Sequence, residues 1–218
     1  MDKKDLLLSL AQKRKTTRWP GYGQIGDYHN GAYECDFVSP YTKSAGNIDA
    51  EIFVLLQDWS SDESLCGSLD ADCVRYGLTR TLPTNKRLVE LLRSNFGVEL
   101  ADVYATNLFP FIKKGGMSSS IPMRDLIAAA KEFALPQIQI VRPKLVVCLG
   151  LNTFNAIRVA RGHAPAQRMD EAIASPLTLD ESRIWCQAHT GTRGQNNRGR
   201  ERVTEDWRKM RMDFSHGA

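Results

Sequence analysis

The chain has 218 residues, 42% hydrophobic, 25% charged and 8% aromatic, which excludes a disordered, collagen-like or coiled-coil polymer. The longest uninterrupted apolar stretch lies around Leu145–Leu151 and falls far short of the roughly 20 residues that span a bilayer. The net charge of +4 is unevenly spread. Residues 1–20 hold six Lys/Arg against two Asp, and residues 183–212 hold eight Lys/Arg against three Asp/Glu, so both ends are basic and the middle is mildly acidic.

Residues 1–15 read as a short helix carrying Leu6, Leu7 and Leu10. Residues 19–50, rich in Gly, Tyr, Asn, Ser and Pro, read as an irregular arm on the domain. Glu51–Leu56 is a buried strand by its continuous apolar run. Asn85–Phe96 has helical spacing at Leu88, Leu91, Leu92 and Phe96. Val103–Asn107 is a second strand. Pro122–Val141 is a helix that Pro136 should kink or end. Lys144–Leu149 is a third strand, closed by Gly150, with Asn152 or Thr153 available to cap the next helix. Arg183–Gln187 is a fourth strand and Glu201–Met212 a last helix. The expected fold is a three-layer α/β/α sandwich around a mainly parallel four-stranded sheet, with residues 1–50 as helix and arm and 51–218 as the main domain.

Ligands of such sheets bind beyond the carboxyl ends of the strands. Gln57 and Asp58 follow the first strand, Asn107 ends the second, and His189 and Thr190 follow the fourth. Each alone has a structural explanation: a turn for Asp58, a loop cap for Asn107, a surface histidine for His189. Together they place an acid, an amide and an imidazole on one rim.

These motifs resemble those of uracil-DNA glycosylases. Gln57-Asp58-Trp59-Ser60-Ser61 is similar to the family's first motif, Gln-Asp-Pro-Tyr-His in its best-known branch. Ala105-Thr106-Asn107-Leu108 is similar to the strand that presents the base-reading Asn. Pro136–Gly150 resembles the helix and strand before the last motif, and Ala188-His189-Thr190-Gly191 stands where the family has His-Pro-Ser. Gly77-Leu78-Thr79-Arg80 resembles the segment with the family's stacking aromatic. The resemblance covers residues 51–212.

It implies a monofunctional glycosylase that flips a nucleotide out of DNA and hydrolyses its N-glycosidic bond. Asp58 would position water and offset the sugar's positive charge. His189 would stabilise the departing base as a neutral donor. Asn107 would read the base, and Gln57 would shape the pocket through its backbone. Three departures bear on the substrate: Ser60 replaces the Tyr that excludes C5 substituents, Arg80 replaces the stacking Phe, and Gly191–Arg198 replaces Pro-Ser and an apolar wedge. They point to a pyrimidine that is uracil or carries a C5 substituent, as in hypermodified phage DNA, and so to repair or antiphage defence. Trp59 would supply stacking or belong to the core.

The expected partner is DNA, bound by a monomer. Lys113, Lys114, Arg193, Asn197 and Arg198 are the candidate DNA contacts, with Arg200 and Arg202 beside the His motif as further phosphate contacts and a plain solvent loop the alternative for Lys113–Ser120. Trp19, Tyr22, Tyr28 and His29 would pack on the domain or line the pocket. If the two basic ends meet, they form one face for a polyanion. The five cysteines are spread, odd in number and without a C-x-x-C pair, so reduced thiols are expected, with no metal, iron–sulfur cluster or other cofactor. The absence of a leader-like segment points to a cytoplasmic protein that does not enter a membrane. Two rival readings are a non-catalytic nucleic-acid-binding protein on the same scaffold and a hydrolase of free nucleotides. No Gly-rich phosphate loop supports the latter.

Overall fold

A computed structural model describes residues 1–216; the expected domain end at residue 218 lies outside them. Five strands, β1 (Ile52–Asp58), β2 (Tyr104–Phe109), β3 (Leu145–Leu149), β4 (Leu177–Leu179) and β5 (Ser182–Gln187), form one sheet in the order β2-β1-β3-β5-β4. The pairs β1–β2, β1–β3 and β3–β5 are parallel, and β4 alone is antiparallel. The helices are α1 (Lys3–Thr16), α2 (Asp62–Leu65), α3 (Ala71–Tyr76), α4 (Pro83–Phe96), α5 (Met123–Ala129), α6 (Leu135–Val141), α7 (Leu151–Ala160), α8 (Met169–Ala174), α9 (Thr192–Arg198) and α10 (Arg200–His216). No helix among the described residues is long and apolar enough to cross a membrane.

The mainly parallel α/β sheet flanked by helices agrees with the sequence reading. The strand count is five, not four. The added strand, β4, spans three residues and joins β5 through Asp180 and Glu181, with Asp180 at φ 52°. Three residues are too few for an alternating or continuous apolar pattern to stand out.

The sequence explains the elements that frame the site. Residues Ile52–Leu56 of β1 and all of β2 and β3 are buried, as runs covered on both faces by helices must be. In α1, Asp2 accepts from the Asp5 N–H and closes a capping box. The α4 helix starts at Pro83, whose missing N–H costs nothing there, and stops at Gly97 in the left-handed region. The expected helix over residues 122–141 neither ends nor simply kinks at Pro136. A π turn, Ala130–Ala134, links α5 to α6, and Pro136 falls in the first turn of α6, where no N–H is demanded of it. Neither Asn152 nor Thr153 caps α7. Gly150 holds the cap position, and the Thr153 hydroxyl donates instead to the Leu149 carbonyl at 3.1 Å.

The arm is fastened by charge and by rings. Arg14 is fully buried and donates to Glu34 and to the carbonyls of Cys35 and Phe37, holding the Glu34 carboxyl below its ordinary range against the desolvation that raises it. Trp19 and Tyr22 pack on Phe109, and Trp19 also on Phe111. The two basic ends pack on different partners: α1 lies against α6, whereas α10 lies against α4, α9 and β5. Lys3, Lys13, Arg14, Lys15 and Arg18 all pair with carboxylates, so the N-terminal charge is largely neutralised within the arm.

Candidate active site

The chain passes from β1 to β2 on one side and returns to β3 on the other. The crevice at the carboxyl ends of β1 and β3 is therefore the topological switch point. Leu56 faces Asn107 in the β1–β2 register, and Leu149 faces Gln187 in the β3–β5 register. Asp58 and His189 each lie two residues beyond those partners. The central strand β3 ends at Gly150, with φ 103°, and supplies no wall. The gap is a cavity of about 330 Å³ bounded by Asp58, Trp59, Ser60, Asn107 and His189, five of the seven catalytic and base-contacting residues expected from the sequence; Gln57 and Arg80 do not line it. Tyr33, Tyr41, Leu78, Thr79, Asn85 and Met117 complete much of the lining.

Asp58 is only 8% exposed, and both its oxygens are engaged. Oδ1 accepts from Gln57 Nε2 at 2.9 Å, and Oδ2 pairs with Lys113 Nζ at 2.8 Å. A carboxylate offers about four lone-pair positions, so two stay open to a water or a sugar. Gln57 thus acts through its side-chain amide and does not line the cavity.

His189 is fixed by its own turn. The Gly191 N–H donates to Nδ1 at 3.0 Å, so the proton of the neutral ring sits on Nε2. Nε2 has no protein partner among the described residues. Burial, the largest influence, lowers the His189 pKa from its ordinary value; Asp58 raises it and Lys113 lowers it. The glycines after His189 pack against it. A Cβ on Gly194 would meet the His189 carbonyl oxygen at 2.3 Å, and one on Gly191 would meet Nδ1 at 2.9 Å. The Gly-rich segment that departs from the family pattern is therefore the histidine's seat.

Asn107 is 1% exposed, and its amide is oriented from the arm. The Ser39 hydroxyl donates to Oδ1 at 2.6 Å, while Nδ2 is buried without a partner. Ser39, Tyr33 and Tyr41 are functional candidates that sequence reasoning missed. Their one signal was tyrosines recurring in a Gly-rich arm. The four arm residues singled out earlier serve as packing: Tyr28 donates to Asp62, and His29 Nε2 lies 2.8 Å from the Leu65 carbonyl oxygen.

Other expected positions fall elsewhere. Trp59 lines the cavity edge-on to Tyr33, its indole N–H held by the Gly77 carbonyl at 2.8 Å. Arg80 is outside the cavity. It pairs with Asp72 and stacks on Tyr76 at 4.0 Å, so it cannot replace the stacking aromatic; the rings available are Tyr33, Tyr41 and Trp59.

Lys113 is not a surface cation. It is 4% exposed, lies against Asp58 and also donates to the Met117 carbonyl. Arg198 is likewise committed, to buried Asp206 through two hydrogen bonds and to Asp170. Lys114, Arg193 and Asn197 are exposed. A second cleft of about 380 Å³ adjoins His189 through Thr190 and is bordered by Lys86, Arg87, Thr192, Gln195 and Arg200. Thr190 Oγ1 there is buried without a partner. Arg200, expected among the arginines after the His motif, borders this cleft, whereas Lys86 was missed because it lies on α4, far from that motif in sequence.

Among the described residues no three His, Cys, Asp or Glu side chains gather to hold a metal. All five cysteines are free thiols, and burial raises Cys73, at the cavity wall, to about 11. Compared with models of protein families and with curated proteins, the chain matches none.

Proposed function

We propose that the protein is a monofunctional DNA N-glycosylase of uracil-DNA glycosylase type that excises a flipped-out pyrimidine, uracil or a C5-substituted base, and leaves an abasic site. One observation carries this reading: Asp58, a neutral His189 with a free Nε2–H, and an Asn107 amide with a free donor meet around one cavity at the switch point. Extruding the nucleotide costs a few kcal/mol of unstacking, met by contacts in the pocket. As the bond between C1′ and the base breaks, its electron pair leaves with the base, and His189 Nε2–H donates to the anion that forms. Asp58 offsets the positive charge on the sugar and orients the water whose oxygen adds to C1′; the proton this water loses neutralises the departed base anion, so the products are a 1′-hydroxyl and the free base. The Asn107 amide donates to an acceptor on the base edge, and phosphates of the same strand lie towards Lys86, Arg200 and Thr190. A cavity of about 330 Å³ at the low end of drug-sized pockets (roughly 300–1,000 Å³) leaves room for a substituent beside small Ser60.

The test is base release from duplexes holding uracil, a thymine mismatch, hydroxymethylcytosine or its glucosylated form, with alkali revealing abasic sites. Release that collapses in Asp58→Asn while DNA binding persists supports the proposal. Binding without release from any duplex moves the reading to a non-catalytic DNA-binding protein. That rival is favoured by the Lys113 charge lying on Asp58.

A further inference from the structure

The Asp58–Lys113 pair raises a question of charge. A carboxylate that is to stabilise a cationic sugar gains from standing alone, yet here an ammonium lies 2.8 Å from it. Lys113 is more than a stray neighbour. Its carbonyl accepts from the Asp62 N–H at 2.8 Å, and it bridges Ser61 in parallel, so its backbone extends the edge that follows β1. Its Nζ reaches Asp58 at the cavity wall and is held a second time by the Met117 carbonyl at 2.7 Å, while Met117 itself lines the cavity. Lys113 does not line it. The loop bearing Met117 and the carboxylate of Asp58 are thus tied to one buried ammonium.

We propose that Lys113 is a positioning residue: with Gln57 it holds the Asp58 carboxylate in one orientation at the cavity wall and balances its charge, so that His189 beside it stays a neutral donor. The inference rests on the glycosylase reading for what Asp58 does, but not for what Lys113 does to Asp58 and His189. Without Lys113, Asp58 loses the partner of one oxygen and is free to turn towards the imidazole. The charged groups bearing on His189 are Asp58 and Lys113, and they act in opposite senses. Removing the ammonium leaves the carboxylate unopposed and makes protonation of His189 easier.

The alternative role for this lysine, a phosphate contact, has a different signature. A lost phosphate contact weakens DNA binding for every sequence and lowers the slope of log affinity against log salt by about 1. A lost positioning residue leaves both unchanged and lowers kcat, as misplacement of a reacting group can by about 10²-fold. The experiment is Lys113→Met on the full chain, with Lys113→Arg as the conservative variant. The readouts are single-turnover base release, salt-dependent duplex binding and an NMR titration of the His189 ring assigned with His189→Gln. The expected result is a loss of kcat near 10²-fold with KM and salt slope unchanged, recovery of most activity in Lys113→Arg, and a His189 midpoint that rises in Lys113→Met. An unchanged midpoint, or a loss confined to KM and the salt slope, overturns the proposal. If Lys113→Met does not fold, Lys113→Gln, which keeps a donor for the Met117 carbonyl but no charge, is read in the same way. If the wild type releases no base from any duplex, the glycosylase reading fails, and the His189 titration, which needs no turnover, still decides the role of Lys113.

Discussion

The Ser39 hydroxyl donates to Asn107 Oδ1 at 2.6 Å, and through this one bond the N-terminal arm sets which way the amide faces the cavity. Ser39 Oγ also accepts from the Tyr41 N–H at 3.3 Å, which leaves the hydroxyl proton for Asn107. With Oδ1 occupied, the open valence of the side chain is the Nδ2 donor. Ser39→Ala removes the bond and leaves a buried Oδ1 unsatisfied, at a cost of about 1–3 kcal/mol. The expected outcome is a lower midpoint in denaturant titration together with weaker discrimination among bases in the duplex panel, because the freed amide can turn over. A variant that loses stability yet keeps its discrimination would show that Asn107 does not read the base.

His189 sets a pH dependence whose sign follows from its lowered value. An unfolded histidine titrates near 6.5. Between that value and the lower folded one, the unfolded chain binds a proton that the folded protein refuses. Stability contributed by this group is therefore complete above the unfolded value, falls as pH drops through the window and levels off below the folded value. Chemical denaturation from pH 8 to pH 4 should show the fall in the wild type and a flatter profile in His189→Gln. If the protein releases bases as proposed, with the neutral ring as donor, that activity should hold down to the ordinary histidine range and decline only below it.

On the proposed function, the cations near the site divide into structural residues and candidate DNA contacts. Arg198 is 12% exposed and makes two hydrogen bonds to Asp206, itself only 3% exposed. Arg198→Ala would leave that carboxylate buried and unpaired, a loss of about 3–5 kcal/mol. Its salt slope for DNA binding should match the wild type. Lys86→Ala and Arg200→Ala, at exposed positions beside the second cleft, should keep their stability and each lower the salt slope by about 1. The reverse assignment, with Arg198→Ala changing the slope alone, would remove the second cleft from the DNA path.

The parallel strands were legible because each is a short apolar run between helical patterns, and their polar ends marked the rim. Asp58, Asn107 and His189 could be picked out because the topology alone brings strand ends together. What was not legible depends on pairings distant in sequence. Ser39 and Asn107 are 68 residues apart, and Tyr41 and Asn85 are 44 apart. No local pattern marks either pair. Lys113 and Arg198 looked like surface cations because charge, read along a chain, does not reveal a carboxylate folded against it. Arg80 failed for a related reason: its partners, Asp72 and Tyr76, are local, but the cavity lies on the other side of the segment, where Leu78 and Thr79 line it.

On the proposed function, Ser60 sets how large a base the pocket admits. It lines the cavity, is 8% exposed and follows Trp59, whose indole is anchored to Gly77 and cannot yield space readily. Gly77 is itself pinned: its φ is 75°, and a Cβ there would meet the Pro40 carbonyl oxygen at 1.7 Å, so the anchor of Trp59 is rigid as well. A tyrosine at position 60 would therefore fill cavity volume instead of displacing its neighbours. Ser60→Tyr should retain release of uracil, or gain it relative to larger bases, and lose release of any pyrimidine with a bulky C5 substituent by about 10²-fold or more. The measurement is the ratio of single-turnover rates on uracil and glucosylated hydroxymethylcytosine duplexes, with Ser60→Ala as the control that leaves the space open. Equal losses on both substrates would mean that the ring blocks the whole pocket; an unchanged ratio with activity retained would place the C5 position away from Ser60, towards the wall formed by Ser64, Ser68 and Cys73.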